Sequence, residues 1–127
     1  MDNETMERYA RQAQERWGQT DAYREYAEKS KDRSAETENA IAAGLMRIFE
    51  DFGRCKNGDP ASAEAQTLVK RLQAYITEHY YRCTPEILRG LGQMYAAGSE
   101  FTANIDKAGG VGTARFVKQA IDACLPL

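Results

Sequence analysis

Apolar residues are distributed unevenly along this chain. Residues 1–40 contain no isoleucine, leucine, valine or phenylalanine, and the first of these residue types is Ile41. Two stripes with helical spacing nevertheless occur in this segment: Met6, Tyr9, Ala10, Ala13 and Trp17, then Ala22, Tyr23, Tyr26 and Ala27. Helices gain most of their stability by packing an apolar face, and these faces consist mainly of aromatic residues and alanines. The pattern therefore predicts two weakly anchored helices.

From residue 34 onward the apolar positions follow the helical period more strongly. Ser34 is a predicted N-cap for a helix that ends at Gly53 or in the turn at 56–58. The apolar stripe of this helix is Ile41, Leu45, Ile48, Phe49 and Phe52. Asp59-Pro60 predicts the start of the next helix, with an acidic N-cap and proline at the first helical position. Its stripe is Ala65, Leu68, Val69, Leu72, Tyr75, Ile76, His79 and Tyr80.

The last third of the chain predicts three further helical segments. Thr84-Pro85 opens the first of them and Ser99 caps the second. Three glycines, at 109, 110 and 112, predict a sharp turn before the last helix. The apolar positions are Ile87, Leu88, Leu91, Met94 and Tyr95, then Phe101 and Ile105, then Phe116, Val117, Ala120, Ile121 and Cys124. No segment alternates as a strand does, so we expect an all-α fold of five to seven helices.

Length and charge argue against a nucleic-acid-binding, membrane or secreted protein. The chain has 127 residues and a net charge of −2, so we expect one domain without the basic surface that nucleic acid requires. The longest run of apolar or small residues, 40–46, is far shorter than the roughly 20 residues of a membrane helix. The first four residues lack the positive charge of a secretory signal. We therefore expect a soluble, cytoplasmic protein with no membrane contact.

Catalytic and metal-binding patterns are scarce. The three cysteines, Cys55, Cys83 and Cys124, are widely spaced and odd in number, which favours reduced thiols over a disulfide or a zinc site. His79 is the only histidine. It lies four residues before Cys83, so one alternative is a catalytic pair in which Cys83 is the nucleophile and His79 the base. A second alternative is a haem with His79 as its ligand. Otherwise both side chains are buried and serve only to pack the core. We expect no enzyme activity, no cofactor and no metal.

Aromatic residues with polar atoms are the unusual feature of the composition. The chain has seven tyrosines and one tryptophan, and four of these eight residues lie in the polar N-terminal third. Such side chains combine a large apolar surface with a hydrogen-bonding group, which suits a pocket for a large amphipathic molecule. Ordinary core aromatic residues are the alternative interpretation.

Several stretches resemble one known family. Residues 15–25 read E-R-W-G-Q-T-D-A-Y-R-E and are similar to the opening of TipAS-like antibiotic-recognition domains, the effector domains of many MerR-type transcription regulators. Similarity in order and spacing continues through Tyr81-x-Cys83, Leu91-Gly92-x-Met94-Tyr95, Phe101-Thr102, Asn104-Ile105-Asp106 and Ala120-Ile121. The resemblance covers about residues 6–124.

The resemblance implies a globin-like bundle whose hydrophobic cleft binds bulky antibiotics or other drugs. It also implies an N-terminal segment that orders when ligand arrives, so we divide the chain into a mobile helical lid at 1–33 and a ligand-binding core at 34–127. DNA contact would come only from a separate winged helix-turn-helix domain. In the thiopeptide-binding member of the family a cysteine captures the drug covalently, and the matching position here is Gly90; Cys83 matches the other cysteine of that member. The resemblance therefore does not imply covalent capture.

We hypothesise that a bulky hydrophobic or aromatic molecule binds between the helices at 65–80 and 87–95. The candidate ligand-binding residues are Tyr75, His79, Tyr80, Cys83, Met94, Tyr95 and Phe101, with Trp17, Tyr23 and Tyr26 as lid contacts. Two other functions remain open at this point. The chain could be a stand-alone protein that sequesters drugs, or a helical module that docks a protein partner.

Overall fold

The computed structural model describes residues 21–124, with side chains from Arg24 onward. This part of the chain forms six helices and no strand. They are α1 (Asp21–Ser30), α2 (Ala35–Cys55), α3 (Ala63–His79), α4 (Pro85–Tyr95), α5 (Glu100–Gly109) and α6 (Thr113–Cys124). The predicted all-α fold is confirmed. The first predicted stripe, with Trp17, lies outside the described residues, as does the side chain of Tyr23.

Three predicted helix starts are confirmed by the capping hydrogen bonds. The side-chain oxygen of Ser34 accepts from the Thr37 amide at 3.1 Å. Thr84 accepts from the Ile87 amide at 3.2 Å, with proline in the first turn. Ser99 accepts from the amide of the second residue of α5 at 3.3 Å. Each cap satisfies an amide that has no partner within its own helix, which is why these starts can be read from local sequence.

The predicted start of α3 at Asp59-Pro60 is wrong. The Asp59 carboxylate accepts from the Ala61 amide at 2.8 Å, and its carbonyl accepts from the Ser62 amide at 3.0 Å. These bonds close a turn of the kind that aspartate forms with its own backbone. The N-cap is Ser62, which accepts from the Ala65 amide at 3.2 Å. The helix therefore begins three residues after Pro60.

Helices α2 and α6 form the centre of the bundle. Helix α2 packs against α3, α5 and α6, while α6 also packs against α3, α4 and α5. Helix α1 packs against α3. The most deeply buried apolar side chains are Ile48, Phe49, Phe52, Val69, Leu72, Leu88, Ile105, Val117 and Ile121. Within the residues described, no helix combines the length and apolar character needed to cross a bilayer.

Helices α2 and α5 cross with their backbones in direct contact. A Cβ atom on Gly53 would overlap the carbonyl oxygen of Gly109 and lie 2.5 Å from its Cα atom. The Lys56 ammonium group donates to the carbonyl oxygens of both glycines, at 3.4 and 3.3 Å. Only residues without side chains permit this approach, so the crossing depends on both glycines.

The predicted glycine turn between the last two helices is confirmed. Gly110 and Gly112 have φ angles of 100° and 94°, a region that residues with side chains rarely adopt. The Asp106 carboxylate accepts from the Ala114 amide at 2.9 Å and so ties the start of α6 to α5. The glycines therefore serve a tight connection between two helices.

Candidate ligand-binding site

The candidate binding residues that the structure describes fall into two groups. Tyr26, Tyr75, His79 and Tyr80 lie at the C-terminal end of α3, and we call this group the α3 aromatic cluster. Tyr95, Phe101 and Cys83 lie in the hydrophobic core, with Met94 partly buried against it. The first group includes residues that line an open groove, whereas the second group is largely enclosed by the helices.

Ring contacts hold the α3 aromatic cluster together. The ring of Tyr26, from α1, stacks on Tyr80 with centroids 6.1 Å apart and planes inclined by 24°. Tyr75 and His79 lie one helical turn apart, and their ring centroids are 4.5 Å apart. Aromatic pairs in such arrangements stabilise a structure beyond the area they bury. The cluster therefore contains two pairs of rings, one of which links α1 to the residue directly after α3.

The Tyr75 hydroxyl connects this cluster to α2. It donates a hydrogen bond to the carbonyl oxygen of Ile41 at 2.5 Å. Burial is the main reason why the pKa of Tyr75 lies above its ordinary value, although Arg47 acts in the opposite direction. The tyrosine is therefore held against α2 while part of the residue remains exposed.

Basic residues from α1 and the turn after it cap the C-terminal end of α3. Lys29 Nζ donates to the carbonyl oxygens of Thr77 and Glu78, at 2.5 and 3.1 Å. Arg33 Nη2 donates to the carbonyl oxygen of His79. These carbonyl groups have no partner within their own helix and carry its negative partial charge, so cations bind them favourably. Helix α1 therefore docks on the last turn of α3.

Sequence reasoning missed Lys29 and Arg33 as residues of the site. Their partners lie 46 to 49 residues further along the chain, so no local pattern reports the contact. The only local signal is the presence of basic residues shortly before the Ser34 cap, and that signal is common on solvated surfaces. A hydrogen bond that the Glu25 carboxylate accepts from the Arg82 amide, at 3.1 Å, was missed for the same reason.

Two buried polar atoms of this region have no hydrogen-bond partner within the described chain: the Tyr80 hydroxyl and Arg33 Nη1. The Arg33 side chain is 13% exposed, and Nη1 lies 3.6 Å from a carboxylate oxygen of Glu38. Burial raises the pKa of Tyr80 well above its ordinary value, helped by the neighbouring Tyr75 hydroxyl and the Glu38 carboxylate. The Tyr80 hydroxyl is therefore protonated throughout the physiological pH range.

An open groove of about 450 Å³ lies beside the cluster, between α2 and α3. It is lined by Glu36, Thr37, Ala40, Ile41, Tyr75 and His79. Its volume lies within the range of small-molecule sites, roughly 300–1,000 Å³. The groove therefore places two candidate residues on a ligand-accessible surface between α2 and α3, and the predicted cleft between α3 and α4 stays a prediction.

Tyr95 and Phe101 have the environment of core residues. Tyr95 is 2% exposed and meets Phe49 edge-on with ring centroids 5.3 Å apart. The Phe101 ring lies 5.6 Å from that of Tyr95. A ligand can reach these rings only if the bundle rearranges, so their part in binding stays a prediction.

Cys83 does not share a helical turn with His79, because α3 ends at His79 and the chain turns away. The thiol is buried, with 4% of the residue exposed, and this burial raises its pKa to about 12. Among the residues described, no three histidine, cysteine, aspartate or glutamate side chains converge as metal ligands. The surroundings of Cys83 suit packing rather than nucleophilic chemistry.

We expect Cys83 to resist alkylation at pH 8. With a pKa of about 12, only about 10⁻⁴ of this side chain is thiolate at that pH, and the thiolate is the reactive form. Mass spectrometry after treatment of the folded protein with iodoacetamide measures labelling at each cysteine. Cys124, which is partly exposed, is the internal control. Labelling of Cys83 as fast as Cys124 would contradict this assignment.

Comparison with known proteins places the chain in a family. A family model described as the TipAS antibiotic-recognition domain matches residues 9–124. The chain is 32% identical over 117 residues to the HTH-type transcriptional activator TipA of Streptomyces coelicolor, which is 91% of this chain and 46% of that protein. It is 35% identical over 103 residues to the HTH-type transcriptional activator mta of Bacillus subtilis, which is 77% of this chain and 39% of that protein. The chain thus spans less than half the length of these relatives.

A solved structure shows the same fold. It is TipAS from a thiopeptide antibiotic multidrug resistance system of Streptomyces lividans, in complex with nosiheptide. The match has a TM-score of 0.77 at 30% sequence identity and covers 92% of this chain and 82% of that one. On the family match and these similarities, the chain belongs to the TipAS antibiotic-recognition domain family.

Proposed function

We propose that this chain is the ligand-binding effector domain of a MerR-type transcription regulator, and that it binds a bulky antibiotic-like molecule without catalysing a reaction. The observation that carries this proposal is the α3 aromatic cluster beside an open groove, in a chain similar to a domain solved with the thiopeptide nosiheptide. Its relatives are transcriptional activators about twice as long, which accords with DNA contact through another domain and with action in the cytoplasm.

The walls of the groove suit a large amphipathic ligand. Tyr75 and His79 contribute aromatic surface, and Ile41 contributes apolar surface from the opposite helix. Such pockets bind mainly by burying apolar and aromatic surface, while a few polar groups orient the ligand. A thiopeptide is larger than a groove of about 450 Å³ accommodates, so a ligand of that class would extend over neighbouring surface.

We propose that residues 1–33 close over the ligand as a lid. In the part of this segment that is described, Lys29 and Arg33 dock on the last carbonyl groups of α3, directly beside His79 and Tyr80. The Tyr26 ring of α1 lies on the cluster, and the Glu25 carboxylate accepts from the Arg82 amide. Because α1 packs against one end of α3 and not in the centre of the bundle, its local opening costs less than that of a central helix, and ligand entry requires such opening.

The proposal predicts saturable binding of nosiheptide that is about tenfold weaker in the Tyr75→Ala variant. Removing this ring deletes one aromatic wall of the groove, and a tenfold change corresponds to about 1.4 kcal/mol. Isothermal titration calorimetry measures the dissociation constant, and circular dichroism shows that each variant is folded. His79→Ala is a second variant in the same groove. Lys118→Ala, which removes a surface ion pair on α6, is the control.

Amide exchange in the same samples tests the lid. We expect nosiheptide to slow exchange in residues 21–33. Binding without any such change would contradict the lid and leave the binding proposal standing. Absence of saturable binding to nosiheptide and to a panel of other bulky antibiotics would contradict the proposed function and favour a helical module that docks a protein partner.

A further inference from the structure

The two unpartnered polar atoms of the site are the starting point. The Tyr80 residue is 7% exposed, and its hydroxyl accepts and donates no hydrogen bond within the described chain. Arg33 Nη1 is likewise buried and makes no hydrogen bond, although it forms an ion pair with Glu38 and Nη2 of the same side chain donates to a carbonyl oxygen. A buried polar atom without a partner costs free energy, so native structures seldom contain two in one place without a reason.

One hydrogen bond and the charges that act on Tyr80 place Arg33 beside this residue. Arg33 Nη2 binds the carbonyl oxygen of His79, the residue before Tyr80. The charges of Glu38 and Arg33 both act on the Tyr80 hydroxyl, the first raising and the second lowering its pKa. The Tyr75 hydroxyl also acts on it, and Tyr75 lines the open groove. Neither Tyr80 nor Arg33 lines the groove itself, so a ligand in the groove reaches these atoms only when α1, with its Tyr26 ring, moves away from Tyr80.

The charge balance of this region decides which ligand group it suits. The Glu38 carboxylate, 3.6 Å from Arg33 Nη1, offsets the positive charge of the guanidinium. What remains is two hydrogen-bond donors with no net charge, since the Tyr80 hydroxyl stays protonated. Such a pair favours an uncharged acceptor, because a carboxylate would be repelled by Glu38 and would lose its hydration on burial.

We propose that the Tyr80 hydroxyl and Arg33 Nη1 form a polar subsite that binds an uncharged carbonyl oxygen, such as that of an amide, in the ligand. The subsite rests on the proposed function, since it orients a molecule whose rings lie against the α3 aromatic cluster. Tyr26, stacked on Tyr80, covers it from α1. Ligand specificity at this point comes from hydrogen-bond geometry rather than from net charge.

Replacing Tyr80 by phenylalanine keeps the ring and removes only the hydroxyl. We expect Tyr80→Phe to weaken nosiheptide, whose peptide backbone carries amide carbonyl groups, by about fivefold, the usual effect of one hydrogen bond. Arg33→Lys, which keeps the charge and loses Nη1, is a second variant with the same expected direction. Lys118→Ala is again the control. Unchanged nosiheptide affinity in both variants, with tight binding by the unsubstituted chain, overturns the subsite and leaves the proposed function intact.

A measurement without ligand tests the premise separately. We expect Tyr80→Phe to leave the urea concentration at the midpoint of unfolding unchanged or to raise it, because the substitution removes a buried hydroxyl that has no hydrogen bond. Tyr75→Phe is the matched comparison. It should lower the midpoint, because it removes the hydrogen bond that the Tyr75 hydroxyl donates to the carbonyl oxygen of Ile41. A midpoint lowered as much by Tyr80→Phe shows that the hydroxyl is already satisfied, by water for example, and overturns the subsite. Absence of nosiheptide binding by the unsubstituted chain overturns the proposed function, and the subsite with it.

Two small probes test the preference for an uncharged group. N-methylbenzamide and benzoate share one ring and differ in charge, and NMR titration measures their affinities. We expect tighter binding of N-methylbenzamide and loss of this preference in Tyr80→Phe. Tighter binding of benzoate, or no response of the Tyr26 and Tyr80 ring signals to either probe, overturns the assignment to a carbonyl oxygen.

Discussion

Replacing Tyr95 by alanine is expected to destabilise the fold by about 3–5 kcal/mol, the usual cost of deleting a large buried ring. Tyr95 is 2% exposed and contacts Phe49 and Phe101 through ring faces and edges. The cavity would lie where α4 meets α2 and α5, and helices cannot collapse into it without moving apart elsewhere. Urea unfolding followed by circular dichroism measures the loss.

Met94 is the matched control for this prediction. It is the neighbouring residue on α4 and is only partly buried against the core, so Met94→Ala should cost clearly less than Tyr95→Ala. The comparison also bears on function, because both residues are candidate ligand contacts. A Tyr95→Ala variant with nearly unchanged stability and lost nosiheptide binding would show that Tyr95 lines the ligand site and is not a core residue.

Gly53→Ala is expected to destabilise the protein by about 2 kcal/mol net. The added methyl group would overlap the backbone of Gly109, and backbone atoms cannot rotate away as a flexible side chain can. The two helices would have to separate, which also weakens the two hydrogen bonds from Lys56. Alanine favours the helical state by roughly 1 kcal/mol over glycine, so the net loss understates the clash.

Gly58→Ala provides the control at a glycine without such a neighbour. A Cβ atom there would meet only the carbonyl oxygen of Cys55, at 3.3 Å, in an exposed turn. We expect a change within about 0.5 kcal/mol at this position, as at most surface sites. Thermal unfolding of both variants makes the comparison. Equal stability of Gly53→Ala and Gly58→Ala would contradict the close helix crossing.

Features that depend on neighbouring residues were predictable from the sequence. Ser34, Thr84 and Ser99 satisfy amides two or three residues away, so their capping role is visible locally. The error at Asp59 arose where two local motifs compete, because an aspartate before proline can cap a helix or close a turn. Helix α3 begins at the Ser62 cap because the Asp59 carboxylate is already hydrogen-bonded to the Ala61 amide within the turn.

Features that depend on distant contacts were only partly predictable. Tyr75 and Tyr95 both lie on apolar helical stripes with similar neighbours, and one lines a groove while the other is buried in the core. Periodicity identifies the buried face of a helix, but the neighbouring helices decide which part of that face remains open. The same reasoning applies to Lys29 and Arg33, whose partners are carbonyl groups at the end of another helix.

The sequence by itself determined the all-α class, most helix starts, the glycine turn and the family, because caps, periodicity and motif spacing are local properties. Only the tertiary structure decided that α1 docks on α3, that Tyr26 stacks on Tyr80 and that the hydroxyl of Tyr80 is buried without a partner. These features arise from packing between residues about 50 positions apart, where side-chain contacts and desolvation follow from the fold as a whole.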